Sequence, residues 1–268
     1  MRRLPRALQH LRFDFLHSLR GAPDTLRLFC RPVTFLALAL LAAITWLLIL
    51  HDSTLLAWIN THRNRYLEGI ARWFSYWGDY PTGTLPIAAV LWSIGFFARK
   101  VNWRRAAIAC LLAATITGTF TVITRCSLGR PRPCANITDG LYGMSVSYNY
   151  QAFPSGHSAT SWATATALVI TAPPVGIPIA VGAAGVVWSR LYLERHHTSD
   201  VFVGAWIGII GGLIAGLASR HHRKYAKRKA APVDASLPLP LLVQLPTPID
   251  LTTSPSNPEP PAPAVVTN

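Results

Sequence analysis

The sequence predicts an all-α protein built as a bundle of six transmembrane helices. Three observations carry that expectation. The 268 residues are 51% hydrophobic and only 13% Asp, Glu, Lys or Arg, about half the charged share of a soluble globular chain, and the mean hydropathy is +0.31. Six apolar runs approach the ~20 residues that a bilayer crossing requires: 33–50, 81–98, 106–124, 157–172, 175–191 and 201–218. Finally, 25 Lys+Arg outnumber 11 Asp+Glu, and in so apolar a chain such an excess marks cytoplasmic flanks of membrane spans rather than a nucleic-acid surface. An ordinary soluble enzyme is excluded.

Taken in order, residues 4–20 place Leu8, Leu11, Phe15, Leu16 and Leu19 at helical spacing among Arg2, Arg3, Arg6, Arg12 and Arg20. That pattern is a basic amphipathic helix suited to the anionic inner leaflet, so residues 1–32 are expected to form a cytoplasmic segment. A cleavable signal peptide is disfavoured, because the basic stretch before the first run is long and no small-x-small site follows Leu50. Residues 51–80 carry Trp58, Trp73, Phe74, Tyr76, Trp77 and Tyr80, the composition of an outer interfacial belt. The fourth run is short, rich in Ala and Thr, and closed by Pro173-Pro174. The sixth sets Gly204, Gly208, Gly212 and Gly216 four residues apart, a bare strip along one face where another helix can approach closely. Residues 33–220 thus form the six-span domain. Beyond them, 221–268 is expected to be a basic and then Pro-rich cytoplasmic tail, disordered by composition.

Orientation follows from the cations. With the N-terminus inside, seventeen Lys and Arg face the cytoplasm and eight lie outside; the positive-inside bias and an even number of spans then agree that both termini are cytoplasmic. This points to an integral protein of a bacterial cytoplasmic (inner) membrane.

Ionisable residues at membrane depth are costly and are functional candidates by default. Three clusters leave or enter spans on the outer side: Arg125 to Pro133, Phe153 to Ser158, and Ser189 to Asp200. Their chemistry suits a phosphate. Arginine offers a planar fork of donors and stays charged at any relevant pH. Pro154-Ser155-Gly156-His157 opens a helix, where the amides of 155–157 lack intrahelical acceptors and the dipole favours an anion. His196 and Asp200 are four apart, so the carboxylate is expected to hold one ring nitrogen and leave the other as nucleophile, with His157 free to protonate the leaving oxygen. His197 is the nearest decoy, with Val201 four residues on. Arg63, Arg65, Arg72 and Arg195 are read as contacts to lipid phosphates, and Arg130 fits either role. No group of Cys, His or carboxylates has metal-site spacing, so no metal or cofactor is expected. Cys30, Cys110, Cys126 and Cys134 make no disulfide scaffold. Cys126 and Cys134 flank the arginine pair in an outward loop and are expected to be free more often than bridged.

These residues resemble the type 2 phosphatidic acid phosphatase (PAP2) family, with motifs K-x6-RP, PSGH and SR-x5-H-x3-D. Here they read Arg125-x6-Arg132-Pro133, Pro154-Ser155-Gly156-His157 and Ser189-Arg190-x5-His196-x3-Asp200, over roughly residues 50–218. The departure is Arg125 in place of the usual Lys, which keeps the charge but not the geometry. The resemblance implies a metal-independent phosphatase with its active site at the extracytoplasmic membrane interface. It implies His196 as the nucleophile forming a phosphohistidine, Asp200 orienting it, and His157 as the general acid. Arg125, Arg132, Arg190 and the Ser155 and Gly156 amides would bind the phosphate. The implied partners are the bilayer and a lipid phosphate, with no nucleic acid. Polyprenyl pyrophosphate, phosphatidic acid, phosphatidylglycerol phosphate and a lipid A phosphate all remain open, as does the oligomeric state. A phosphotransferase using the same intermediate is the near alternative. The soluble vanadium haloperoxidases share the motifs but not the spans, and a non-enzymatic membrane scaffold is disfavoured by the intact histidines.

Overall fold

The computed structural model describes residues 5–20, 23, 27 and 31–229. Among these every regular element is helical: α1 (Arg6–Arg20), α2 (Pro32–Thr61), α3 (Arg65–Trp77), α4 (Leu85–Phe97), α5 (Val101–Leu128), α6 (Gly156–Thr171), α7 (Pro173–Tyr192) and α8 (Thr198–Lys229), with a wide turn at Tyr80–Thr84 leading into α4. The expected all-α class is what the molecule has. The Pro-rich tail from residue 230, and Cys30, lie outside the described residues.

Among the described residues five stretches are long and apolar enough to cross a membrane: α2, Tyr80–Phe97, Val101–Ala135, α7 and Thr198–Arg220. The chain is an integral membrane protein. The fourth expected run is α6, whose 16 residues rise only about 24 Å at 1.5 Å each, short of a ~30 Å hydrocarbon core. Its surroundings explain its weak hydropathy. α6 packs against α5, α7 and α8, so Ala159, Thr160, Ala163, Thr164 and Ala167 meet protein rather than lipid. α2 is the opposite case, with Leu36, Leu40, Trp46 and Leu50 exposed along it and one buried residue, Asp52.

The sixth run's glycines are used as their spacing suggests. A Cβ on Gly204 would lie 2.4 Å from the Ser155 carbonyl oxygen, and one on Gly208 would lie 2.3 Å from that of Ala159, both far inside van der Waals contact. α8 therefore lies directly on the α6 backbone, and the first turns of both helices are brought together. The core beneath is equally lean, with Ala106, Ala109, Cys110, Ala113 and Ala114 of α5 closing on Ala163, Ala167 and Leu168 of α6.

Two elements show more than the sequence predicts. Residues 51–80 are mostly helical: α2 runs on to Thr61, and α3 starts under the Asn64 side chain, which accepts from the Leu67 amide at 2.8 Å, an N-cap. Trp58, Trp73, Tyr76 and Trp77 are exposed there. The amphipathic α1 forms, with Leu8, Leu11, Phe15 and Leu16 still part-exposed. Its Asp14, however, is buried and pairs with Arg104 of α5 at 2.9 Å, so α1 is pinned to α5 as well as being apolar on another side.

Candidate active site

The three sequence clusters meet at one end of α5, α6, α7 and α8, joined by their backbones. The Ala152 amide donates to the Arg130 carbonyl at 3.0 Å, the Ser155 amide to the Asp200 carbonyl at 3.0 Å, and the Cys134 amide to the Glu194 carbonyl at 3.1 Å. Gly129, which ends α5, adopts φ +62°, and a Cβ there would lie 2.0 Å from the Gly143 oxygen. Only glycine turns the chain at that point toward Arg130 and Arg132.

Arg125, Arg132, Arg190 and His157 line a common cavity of about 560 Å³, together with Asp79 and Tyr148. Each arginine keeps a buried nitrogen without a hydrogen-bond partner: Nε of Arg125, Nη1 of Arg132 and Nε of Arg190. Buried donors are almost always paired, so three orphans around one cavity mark a place built for an anion. Their remaining contacts fix their aim. Arg132 donates through Nε to the Tyr148 carbonyl at 2.9 Å and lies 3.8 Å over the Tyr148 ring, while Arg190 Nη1 donates to Ser75 Oγ at 2.5 Å. Gly156 stands beside the Arg125 guanidinium, where a Cβ would come to 3.1 Å from Nη1.

His196 is buried, and its Nδ1 lies 2.7 Å from the Ala152 carbonyl oxygen. A carbonyl only accepts, so Nδ1 carries the proton and the lone pair is left on Nε2. Burial, with Arg190 and Arg132 close by, pulls the His196 pKa well below its ordinary 6.5, which keeps the ring neutral. The expected His196–Asp200 pairing does not form as a hydrogen bond, since Nδ1 and the Asp200 Oδ2 are 3.8 Å apart. Asp200 Oδ2 instead accepts from the His197 amide at 2.7 Å and lies 3.2 Å from His197 Nδ1. The reason is that the ring at 196 precedes α8, in irregular chain, so four-residue helical spacing does not apply to it.

The other Asp200 oxygen, Oδ1, accepts from Arg130 Nη1 at 2.6 Å. Arg130 also donates to Ser199 Oγ at 2.7 Å, to Asp52 Oδ2 at 3.0 Å and to both oxygens of Asp139 at 2.9 and 2.6 Å. Asp52 accepts in turn from the Ser199 amide at 2.9 Å and from its hydroxyl at 2.5 Å. Arg130 holds the Asp139 carboxyl below its ordinary 3.8. This closed network ties α2 to the start of α8. Sequence reasoning missed Asp52, although an acid two residues beyond an apolar run was a signal; nothing local pointed to Ala152.

One further expectation changes, and one on the cysteines holds. The Ser155 amide is engaged by the Asp200 carbonyl, and Ser155 Oγ caps α6 by accepting from Ser158, so of the three amides expected to be available those of Gly156 and His157 remain. Cys126 and Cys134 are both free. Among the described residues no group of three or more His, Cys, Asp or Glu side chains is arranged to hold a metal ion.

A family model described as the PAP2 superfamily matches residues 106–223. No curated protein sequence matches the chain. LpxE of Aquifex aeolicus is 25% identical, covers 60% of this chain and 92% of its own, and has a TM-score of 0.47. A transmembrane PAP2-type phosphatidylglycerolphosphate phosphatase from Bacillus subtilis is 19% identical, covers 83% and 98%, and has a TM-score of 0.48. The matched family segment contains every motif residue from Arg125 to Asp200, and over it the chain is similar to the PAP2 superfamily.

Proposed function

We propose that the protein is an integral-membrane lipid phosphatase that removes a phosphate monoester or pyrophosphate terminus through a phosphohistidine. The observation that carries this reading is the set of three buried, unpartnered arginine nitrogens around one cavity that His157 also lines. In the first step Nε2 of His196 bonds to phosphorus while the ester oxygen leaves with a proton from His157. In the second, water attacks the phosphohistidine and gives a proton back to His157, freeing phosphate and His196. Arg125, Arg132, Arg190 and the Gly156 and His157 amides carry the phosphoryl charge. Asp200 acts on the nucleophile indirectly, by fixing the His197 backbone and Arg130. No metal takes part in this scheme, and activity should survive EDTA and be blocked by vanadate, a five-coordinate phosphoryl mimic.

The proposed topology has six crossings, α6 being the short enclosed one, with residues 1–32 and 221–268 cytoplasmic around a phosphatase domain at 33–220. The site then faces the periplasm of a bacterial inner membrane. The test of function is phosphate release from a panel of lipid phosphates by detergent-solubilised protein. Release by wild type but not by His196→Ala is the expected result; equal release by both, or none from any substrate, would overturn it.

A further inference from the structure

A general acid must hold its proton until the leaving group departs, and His157 sits in hostile company for a cation. Arg190 reaches it from α7, Arg125 from α5 and Arg132 from the loop beyond, His196 is a further titratable neighbour, and Arg72, Arg195, Tyr148 and Tyr80 line the adjoining cavities. All three arginines repel an imidazolium. Of the thirteen residues lining the cavity, five are arginines and one is an acid, Asp79. Its Oδ1 lies 3.8 Å from His157 Nε2, too long for a hydrogen bond but within ion-pair range; the carboxylate is half exposed, so solvent weakens the attraction without abolishing it. Asp79 is also held in place, because the same Oδ1 accepts from the Tyr80 amide at 3.0 Å at the start of the wide turn Tyr80–Thr84. Asp79, Arg125 and His157 together line a second, more apolar cavity of about 410 Å³ that runs along α5 past Gly118 and Thr121. The carboxylate therefore stands beside the face of His157 where the two cavities adjoin.

We propose that Asp79 is the positioning residue of the general acid: its carboxylate holds His157 oriented and protonated against the arginines that bind the phosphate. The inference rests on the general-acid reading given above. It adds a fixed counter-charge that the three motifs do not contain. Asp79 bonds to no reacting atom, and being anionic it does not attract the phosphate.

The test compares kcat on a lipid phosphate monoester with kcat on p-nitrophenyl phosphate, whose leaving group needs little protonation. Asp79→Asn keeps an acceptor for the Tyr80 amide but removes the charge. It should lower the lipid-to-p-nitrophenyl rate ratio about tenfold and move the alkaline limb of the lipid kcat–pH profile about one unit toward acid, since one pKa unit is a tenfold change in protonation. KM for the lipid should stay level or fall, because a charge that repels phosphate is gone, and Asp79→Glu should recover most of the ratio. A purely structural role would instead lower both rates together and raise KM. If Asp79→Asn does not purify as a monodisperse species, Asp79→Ser takes its place in the same comparison. An unmoved limb with an unchanged ratio overturns the inference. If His157→Ala lowers the ratio and Asp79→Asn does not, the Asp79 inference alone fails; if His157→Ala leaves it unchanged, the general-acid reading fails and takes this inference with it.

Discussion

Arg130 and Arg132 are two residues apart, both buried, and opposite in kind. Arg130 spends its donors on Asp52, Asp139, Asp200 and Ser199, so it has little left for a ligand. Arg132, like Arg125 and Arg190, keeps a buried nitrogen unpartnered beside the cavity. Residue type does not separate them, since both are arginines in one Arg-Pro-Arg-Pro run. What separates them is the company each finds across the fold: acids on α2, α8 and the 136–148 segment for Arg130, and an open cavity for Arg132. One cluster holds the protein together, and the other, in the proposed function, holds the phosphate.

The comparison breaks most sharply on the histidines between the clusters. His196→Ala should abolish turnover of every phosphoester, because the ring supplies the bond to phosphorus. His157→Ala should lose 10²–10⁴-fold on a lipid monoester while retaining much of its rate on p-nitrophenyl phosphate. Steady-state rates on both substrates check the pair.

Next come the two kinds of arginine. Arg130→Gln leaves Asp52 and Asp200 buried without their cation, and breaking a buried ion pair from one side costs about 3–5 kcal/mol. Its signature should be a large drop in thermal midpoint in detergent. Arg132→Gln should leave that midpoint nearly in place and lower kcat/KM by roughly 10- to 100-fold, the loss of one charge-assisted bond worth about 1.5–3 kcal/mol. If Arg130→Gln hit kcat/KM alone and Arg132→Gln hit stability alone, the division would be reversed.

A pH profile sharpens the same point. In the proposed mechanism His196 must be neutral to attack, and burial with Arg190 and Arg132 lowers its pKa, so its protonation should limit the rate only well below pH 6.5. Arg190→Gln removes one of those cations, the pKa rises, and the acid limb of kcat/KM should move to higher pH than in wild type with the same substrate. The smallest effect belongs to Asp139, whose side chain is 45% exposed. Its depressed pKa means that its ion pair stabilises the fold at neutral pH and ceases to do so as pH falls below the ordinary 3.8. Asp139→Asn should cost no more than about 1 kcal/mol, as exposed pairs do.

Much of this was legible in the sequence because it is local. The apolar runs, the glycine strip of α8 and the three motifs each declare themselves within a few residues, and the motif residues Arg125, Arg132, His157 and Arg190 do line one cavity. The illegible parts are long-range. Asp52 meets Arg130 across 78 positions, and the acceptor for His196 is a backbone carbonyl, Ala152, with no side-chain signature. The His196–Asp200 expectation failed by applying helical spacing to a residue just outside a helix, and α6 looked weak by hydropathy because its Ala and Thr side chains meet protein rather than lipid.

Chemical trapping of the phosphorylated enzyme shows whether His196 carries the phosphoryl group. Rapid alkaline quenching of enzyme turning over a lipid phosphate, followed by peptide mass spectrometry, should find an acid-labile, alkali-stable phosphate on His196. The same treatment of His196→Ala should find none. Phosphate on His197 or another side chain, or continued turnover by His196→Ala, would contradict the account.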